Sequence, residues 1–79
     1  MTLTVHLFAA ARDLAGAEAV TVPLPATVAD LRAALAASYP RLAALLSRSA
    51  IAVNHDFAAD TVPLTAADEV AVIPPVSGG

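Results

Sequence analysis

Apolar and polar residues alternate near both ends of this chain, and that pattern limits the fold more than any other feature. Near the start, Leu3, Val5 and Leu7 fall on one face, and Thr4, His6 and Phe8 on the other. In the segment Glu69 to Ile73, Val70 and Val72 share one face and Ala71 and Ile73 the other. Each segment reads as a half-buried strand. Pro74 stops the second, because it has no N–H to give to a ladder. Strands with one apolar face need a common sheet, and the chain between them must cover that face.

The middle of the chain supplies the cover. Thr27 precedes Val28, Leu31 and Leu35, which recur on one face of a helix. Its hydroxyl suits the exposed amides of a first turn, and Asp30 completes a capping box with Asp in place of Glu. The Asp30 carboxylate also favours the positive end of the helix. Pro40 disfavours helical geometry at the residue before it, so the helix stops near Ser38-Tyr39. A short helical piece follows, with Leu42, Leu45 and Leu46 on one side. Ala19 to Val22 is a second strand, closed by Pro23 and Pro25. It is joined to the first by a connection, Ala9 to Ala17, with Gly16 as its turn. Ile51 to Val53 is a third strand and Asn54-His55-Asp56 a turn, in which short polar side chains bond locally to the backbone. Phe57 to Asp60 is a short fourth strand or an edge. Pro63 to Ala67 is a connection with one tight helical turn. The order is β-β-α-β-(β)-β. It predicts an α+β domain over residues 1–74: a mixed sheet of the β-grasp (ubiquitin-like) type, with one main helix on one face. The first and last strands lie parallel at the centre, since the connection between them is long enough for parallel pairing. Residues 75–79 are expected to form a flexible tail.

A chain of 79 residues is one small domain. It buries roughly 60–65% of its unfolded surface, enough for one modest core. No apolar run approaches the ~20 residues of a membrane span. The first residues lack the basic start and apolar core of a signal peptide, so the expected location is the cytoplasm, with no membrane contact. There is no cysteine, which removes disulfides, thiolate chemistry and cysteine-based metal sites. The net charge is −3, and the basic residues Arg12, Arg32, Arg41 and Arg48 are scattered singly. A nucleic-acid binder needs clustered positive charge, so that class is set aside. The mild acidity reads as ordinary solubility, and it also suits a basic partner surface.

The end of the chain departs furthest from what a packed domain needs. It reads Pro74-Pro75-Val76-Ser77-Gly78-Gly79, and two of the three glycines stand last. Prolines favour an extended path and do not zip onto a neighbouring strand. Six extended residues reach roughly 20 Å. Two glycines pass through a narrow channel and take whatever backbone angles a partner imposes. Such a tail suits delivery of the Gly79 carboxylate into another protein's active site. A carboxylate must be activated before it accepts a nucleophile, and an acyl-adenylate made with ATP is the usual route. No Gly-rich loop followed by Lys-Ser/Thr is present to bind ATP, so the activating enzyme must be a separate protein.

Three stretches carry a resemblance. They are Phe8-Ala9-Ala10-Ala11-Arg12-Asp13-Leu14-Ala15-Gly16, Leu64-Thr65-Ala66-Ala67-Asp68-Glu69-Val70-Ala71, and the ending from Pro74 to Gly79. Together they resemble the MoaD branch of the MoaD/ThiS sulfur-carrier family, the small subunits of molybdopterin synthase. The resemblance spans the whole chain, and Ala67 stands where the family usually has glycine. It implies that Gly79 is adenylated by an E1-like (MoeB-like) enzyme using ATP and magnesium, and that sulfur then replaces the adenylate to give a thiocarboxylate. The tail, Pro74 to Gly78 with its terminal Gly79, would insert into the large (MoaE-like) subunit and donate sulfur to cyclic pyranopterin monophosphate, forming the dithiolene. The implied complex is a heterotetramer with catalysis on the large subunit. No cofactor is bound permanently, and sulfur travels as the thiocarboxylate. A carrier for thiazole synthesis, a ubiquitin-like protein modifier and a plain interaction domain are the alternatives.

A carrier also needs a docking surface beside its tail. Phe8 and Ile73 fall on the strand faces away from the helix, and Phe57 is placed to join them from the edge. An apolar patch on an open sheet face marks a protein interface. Arg12, following Phe8, is a candidate rim ion pair. His6 and His55 lack cysteine companions, and no metal site is expected. Asp68 and Glu69, as neighbours, point to opposite faces and suit a turn and edge role rather than acid–base work. Ser77 has no triad partners and reads as a small residue that fits a channel.

Overall fold

The computed structural model describes residues 1–75. The strands are β1 (Thr2–Leu7), β2 (Ala19–Pro23), β3 (Ala50–Val53), β4 (Asp56–Phe57) and β5 (Val70–Ile73). They form one mixed sheet in the order β2-β1-β5-β3-β4. The first and last strands are central neighbours and parallel, with Val5 opposite Val70 and Leu7 opposite Val72. The other pairings are antiparallel. This is the expected β-grasp arrangement.

The alternation in β1 and β5 becomes two different sheet faces. Leu3, Val5, Leu7, Val70 and Val72 are buried. They meet Val28, Leu31 and Leu35 of helix α2 (Val28–Ser38) in one core cluster. Leu42, Leu45 and Leu46 extend the cluster from a 3-10 turn (Pro40–Leu42) and a short helix that follows it. Complete burial of a leucine or valine contributes about 1.5–3 kcal/mol, so this layer supplies most of the driving force.

The start of α2 is capped from two directions. Val28 N–H donates to the Val62 carbonyl at 3.0 Å and Ala29 N–H to the Asp60 carbonyl at 2.9 Å. Asp30 N–H donates to the Thr27 hydroxyl at 3.3 Å. The Asp30 carboxylate accepts from that same hydroxyl at 3.0 Å, rather than from the Thr27 backbone as in a standard capping box. Arg32 locks the layer together: its Nε pairs with Asp60 at 2.9 Å, and its Nη1 donates to the Ser49 carbonyl at 2.8 Å and to the Leu46 carbonyl.

Two expectations need correction. The connection Ala9 to Ala17 contains a helix, α1 (Ala9–Ala15), which ends at Gly16 in the left-handed conformation, φ 71°. Phe8 is not the last residue of β1 but the residue that caps α1, although its backbone remains extended at φ −123° and ψ 155°. In order along the chain, the remaining helix, Ala43–Leu46, is α3. The segment before β5 holds a single hydrogen-bonded turn, Asp68 N–H to the Thr65 carbonyl at 3.1 Å. Ala67 lies within this turn at negative φ, so the turn does not require glycine there.

Candidate functional site: the open face of the sheet

The face of the sheet turned away from the helices holds a hollow. Its floor follows from register. His6 on β1 lies opposite Ala71 on β5, Ala71 opposite Ala52 on β3, and Ala52 opposite Phe57 on β4. Two alanines at the centre of this row, with larger side chains at its ends, leave a depression. The next row adds Ile73, opposite Ala50, and Phe8 beyond Leu7. Ala52 is buried although it lies on the uncovered face, because its taller neighbours shield it.

Phe8, Ile73 and Phe57, the expected docking residues, all line this one hollow. Phe57 is 76% exposed and Phe8 50%, on a face that no helix covers. The sharp exit from β1 aims Phe8: Ala9 has φ 49°, in the left-handed region, and the Phe8 carbonyl accepts from Ala11 N–H at 3.1 Å. Arg12 sits in α1 rather than in a loop. It lines a second hollow with Glu18, and the two hollows share His6 and Phe8. Arg12 therefore stands beside the main hollow, which it does not itself line.

The far wall is built by a turn. Asn54 and His55 have φ 53° and 72°, the paired left-handed geometry of a two-residue hairpin turn. The Asn54 side chain does not bond within the turn. It donates to the Asp68 carboxylate at 3.0 Å and accepts from Glu69 N–H at 2.9 Å, clamping the hairpin to the start of β5. Asp68 also accepts from Thr65 N–H at 2.8 Å. That backbone bond first, and the Asn54 bond second, hold the Asp68 carboxyl below its ordinary value. Glu69 lies 3.4 Å from His55 Nε2 on the rim; both side chains are exposed, so solvent screens the pair. Asp68 thus has the turn role expected of it, and Glu69 joins the hollow.

Sequence reasoning did not foresee His6, His55, Ala52, Ala71 or Glu69 as lining residues. The placement of His6 opposite Leu3, Val5 and Leu7 was visible, but the alanine floor appears only once register is known. Although His6, His55 and Glu69 share the hollow, the described residues contain no group of three or more His, Cys, Asp or Glu placed to hold a metal ion. No helix among them is long and apolar enough to cross a membrane.

The hollow runs along β5, from Glu69 just before the strand to Ile73 at its end. Pro74, expected as part of the tail, is buried, and Pro75 is exposed. Val76, Ser77, Gly78 and Gly79, the tail-channel and carboxylate residues of the sequence reading, lie outside the described residues.

Comparison with known proteins gives this geometry a family. The molybdopterin synthase sulfur carrier subunit of Escherichia coli is 40% identical over 80 aligned positions, covering 98% of this chain and 99% of that protein. The crystal structure of SAMP1, small archaeal modifier protein 1, from Haloferax volcanii matches with a TM-score of 0.86 at 31% identity, over 100% of both chains. A chain in the complex of subunits 1 and 2 of the molybdopterin-converting factor from Helicobacter pylori matches with a TM-score of 0.72 at 26% identity, again over 100% of both. The sequence also matches the ThiS family over residues 5–79, and the chain belongs to that family.

Proposed function

We propose that this chain is the sulfur carrier subunit of molybdopterin synthase, a non-catalytic donor that works with a large subunit. One observation carries the reading: the hollow holding Phe8, Phe57, Ala71 and Ile73 lies along the strand that leads into Pro-Pro-Val-Ser-Gly-Gly. Its support is twofold: the name of the full-length relative, and the two-subunit complex in which a structural neighbour sits. In this reading the hollow docks on the large subunit, with Arg12 at the rim, and residues 75–79 form the tail. The two partners assemble as a heterotetramer in the cytoplasm.

The chemistry follows from the terminal carboxylate. An E1-like enzyme with ATP and magnesium joins the Gly79 carboxylate to AMP and releases pyrophosphate. A sulfur donor displaces AMP, leaving a thiocarboxylate on Gly79. The tail carries that sulfur to cyclic pyranopterin monophosphate at the large subunit, where the dithiolene forms. Ser77 and Gly78 offer little bulk to a narrow channel.

The test is mass spectrometry after incubation with an E1-like enzyme, ATP, magnesium and a sulfur donor. The expected product carries one sulfur in place of one oxygen at Gly79, and deletion of Gly79 abolishes it while the fold persists. If neither adenylate nor thiocarboxylate forms, the reading fails. A second reading, a protein modifier joined to target amines through Gly79, draws on the likeness to small archaeal modifier protein 1. Recovery of Gly79 in amide linkage to other proteins from cell extracts would favour it.

A further inference from the structure

All four cationic side chains of these 79 residues are arginine; there is no lysine and no cysteine. Lysine and arginine differ less in charge than in reactivity. A lysine amine can shed its proton and attack an acyl group, whereas a guanidinium stays protonated and does not. That difference matters to a protein bearing an electrophile of its own, so the inference rests on the function proposed above. An acyl-adenylate at Gly79 is such an electrophile, and the residues after Ile73 span roughly 20 Å when extended.

Two of the four cations flank the end of β5. Ile73 pairs with Ala50, and the exposed Arg48 lies just before Ala50 in sequence. On the other side Leu7 pairs with Val72, and Arg12 follows within the next helical turn, its N–H 3.4 Å from the Phe8 carbonyl. Both positions therefore lie beside the strand from which the tail continues. The backbone amine of Met1 lies away from this end, because β1 and β5 run parallel and Met1 precedes the start of β1. His6 and His55 are close to the exit strand, but an acyl-imidazole passes its acyl group on to water and leaves no lasting product.

We propose that the carrier surface is inert towards its own activated C-terminus. Guanidinium groups supply positive charge beside the exit without an amine that could capture the acyl group. The activated chain therefore passes to a sulfur donor, or to an amine on another protein, and does not join a side chain of a second copy. The capture avoided is a simple exchange. The amine nitrogen would attack the Gly79 acyl carbon, a C–N bond would form, and the bond from that carbon to the AMP oxygen would break. AMP would leave with its electron pair, and the ammonium proton would pass to solvent.

The test compares the unaltered chain with Arg48→Lys and Arg12→Lys, each incubated with the activating enzyme, ATP and magnesium but no sulfur donor. Pyrophosphate release measures adenylation, and intact mass with denaturing electrophoresis measures amide formation. The unaltered chain is expected to release pyrophosphate and return to free carboxylate. Arg48→Lys is expected to give at least tenfold more amide, as a chain lighter by one water or as a covalent dimer, mapping to residue 48. Side-chain-linked dimers of the unaltered chain would overturn the proposal. So would two lysine variants that adenylate normally yet give no amide. Absence of pyrophosphate release from the unaltered chain would overturn the proposed function and this inference together, an outcome the adenylation measurement separates from the others.

Discussion

The two faces of the sheet are made by alternate residues of the same strands, yet they are built on opposite terms. On the covered face, Val5, Val70 and Val72 disappear under α2. One position along, on the open face, stand His6, Ala71 and Ile73, with Phe8 and Phe57 at the margins. The covered face uses large aliphatic groups fully removed from water. The open face uses small groups in the middle and exposed aromatic groups outside, which contribute little to stability and much to a surface another protein can grip. Under the proposed docking, stability and recognition are assigned to residues one position apart.

Substitutions can break that separation, beginning with the largest effect. Leu31→Ala, fully buried against the sheet, should lower unfolding free energy by about 2–5 kcal/mol, read by urea denaturation. A loss under 1 kcal/mol would mean that the covered face does not dominate stability. Phe8→Ala and Phe57→Ala should each weaken binding to a molybdopterin synthase large subunit at least tenfold, about 1.4 kcal/mol. Their unfolding free energies should move by less than about 0.5 kcal/mol, as for surface substitutions generally. Calorimetry of binding beside denaturation distinguishes the two. Ala71→Leu sharpens the comparison by filling the hollow: binding should fall while the covered core stays intact. Thr27→Ala removes the hydroxyl that accepts from Asp30 N–H and should cost about 1 kcal/mol of stability, with binding unchanged.

The smallest effect concerns acid. The Asp68 carboxyl is lowered from 3.8 in the folded chain, so its stabilising contribution is complete above pH 3.8. It is lost as pH falls from there through the lower folded value. Asp68→Asn should remove that part of the acid-induced decline, seen in urea midpoints measured from pH 5 to 2.5. An unchanged acid limb would mean that the clamp on Asn54 and Thr65 is not linked to folding.

Much of the covered face was legible in the sequence. Leu3, Val5 and Leu7 display their period directly, and Thr27 with Asp30 marks the start of α2. The helix α1 was not legible, because in Ala9–Ala15 only Ala11 is buried and alanine stands on several sides of the helix. Alanine favours a helix without showing which side faces the core. The open face was half legible. Phe8, Phe57 and Ile73 stood out as apolar residues on the wrong face, and the hollow gathers them. The floor did not stand out, since Ala52 and Ala71 become neighbours only through a pairing between strands far apart in sequence. Asn54 was read as a local turn residue, but its side chain reaches across to Asp68 and Glu69, a contact set by tertiary structure.

The central place of β5 has a consequence for how the molecule is made. Translation delivers residues 70–73 after all the other strands, yet they belong between β1 and β3. Until they arrive, the β1–β2 pair and the β3–β4 pair have no strand to join them, and pairings distant in sequence form late. A polypeptide that terminates before Val70 therefore lacks both the keystone of its sheet and the carboxyl end on which its proposed chemistry depends. The sheet is complete once β5 is in place, and the end on which the proposed chemistry depends comes only with the residues after Ile73.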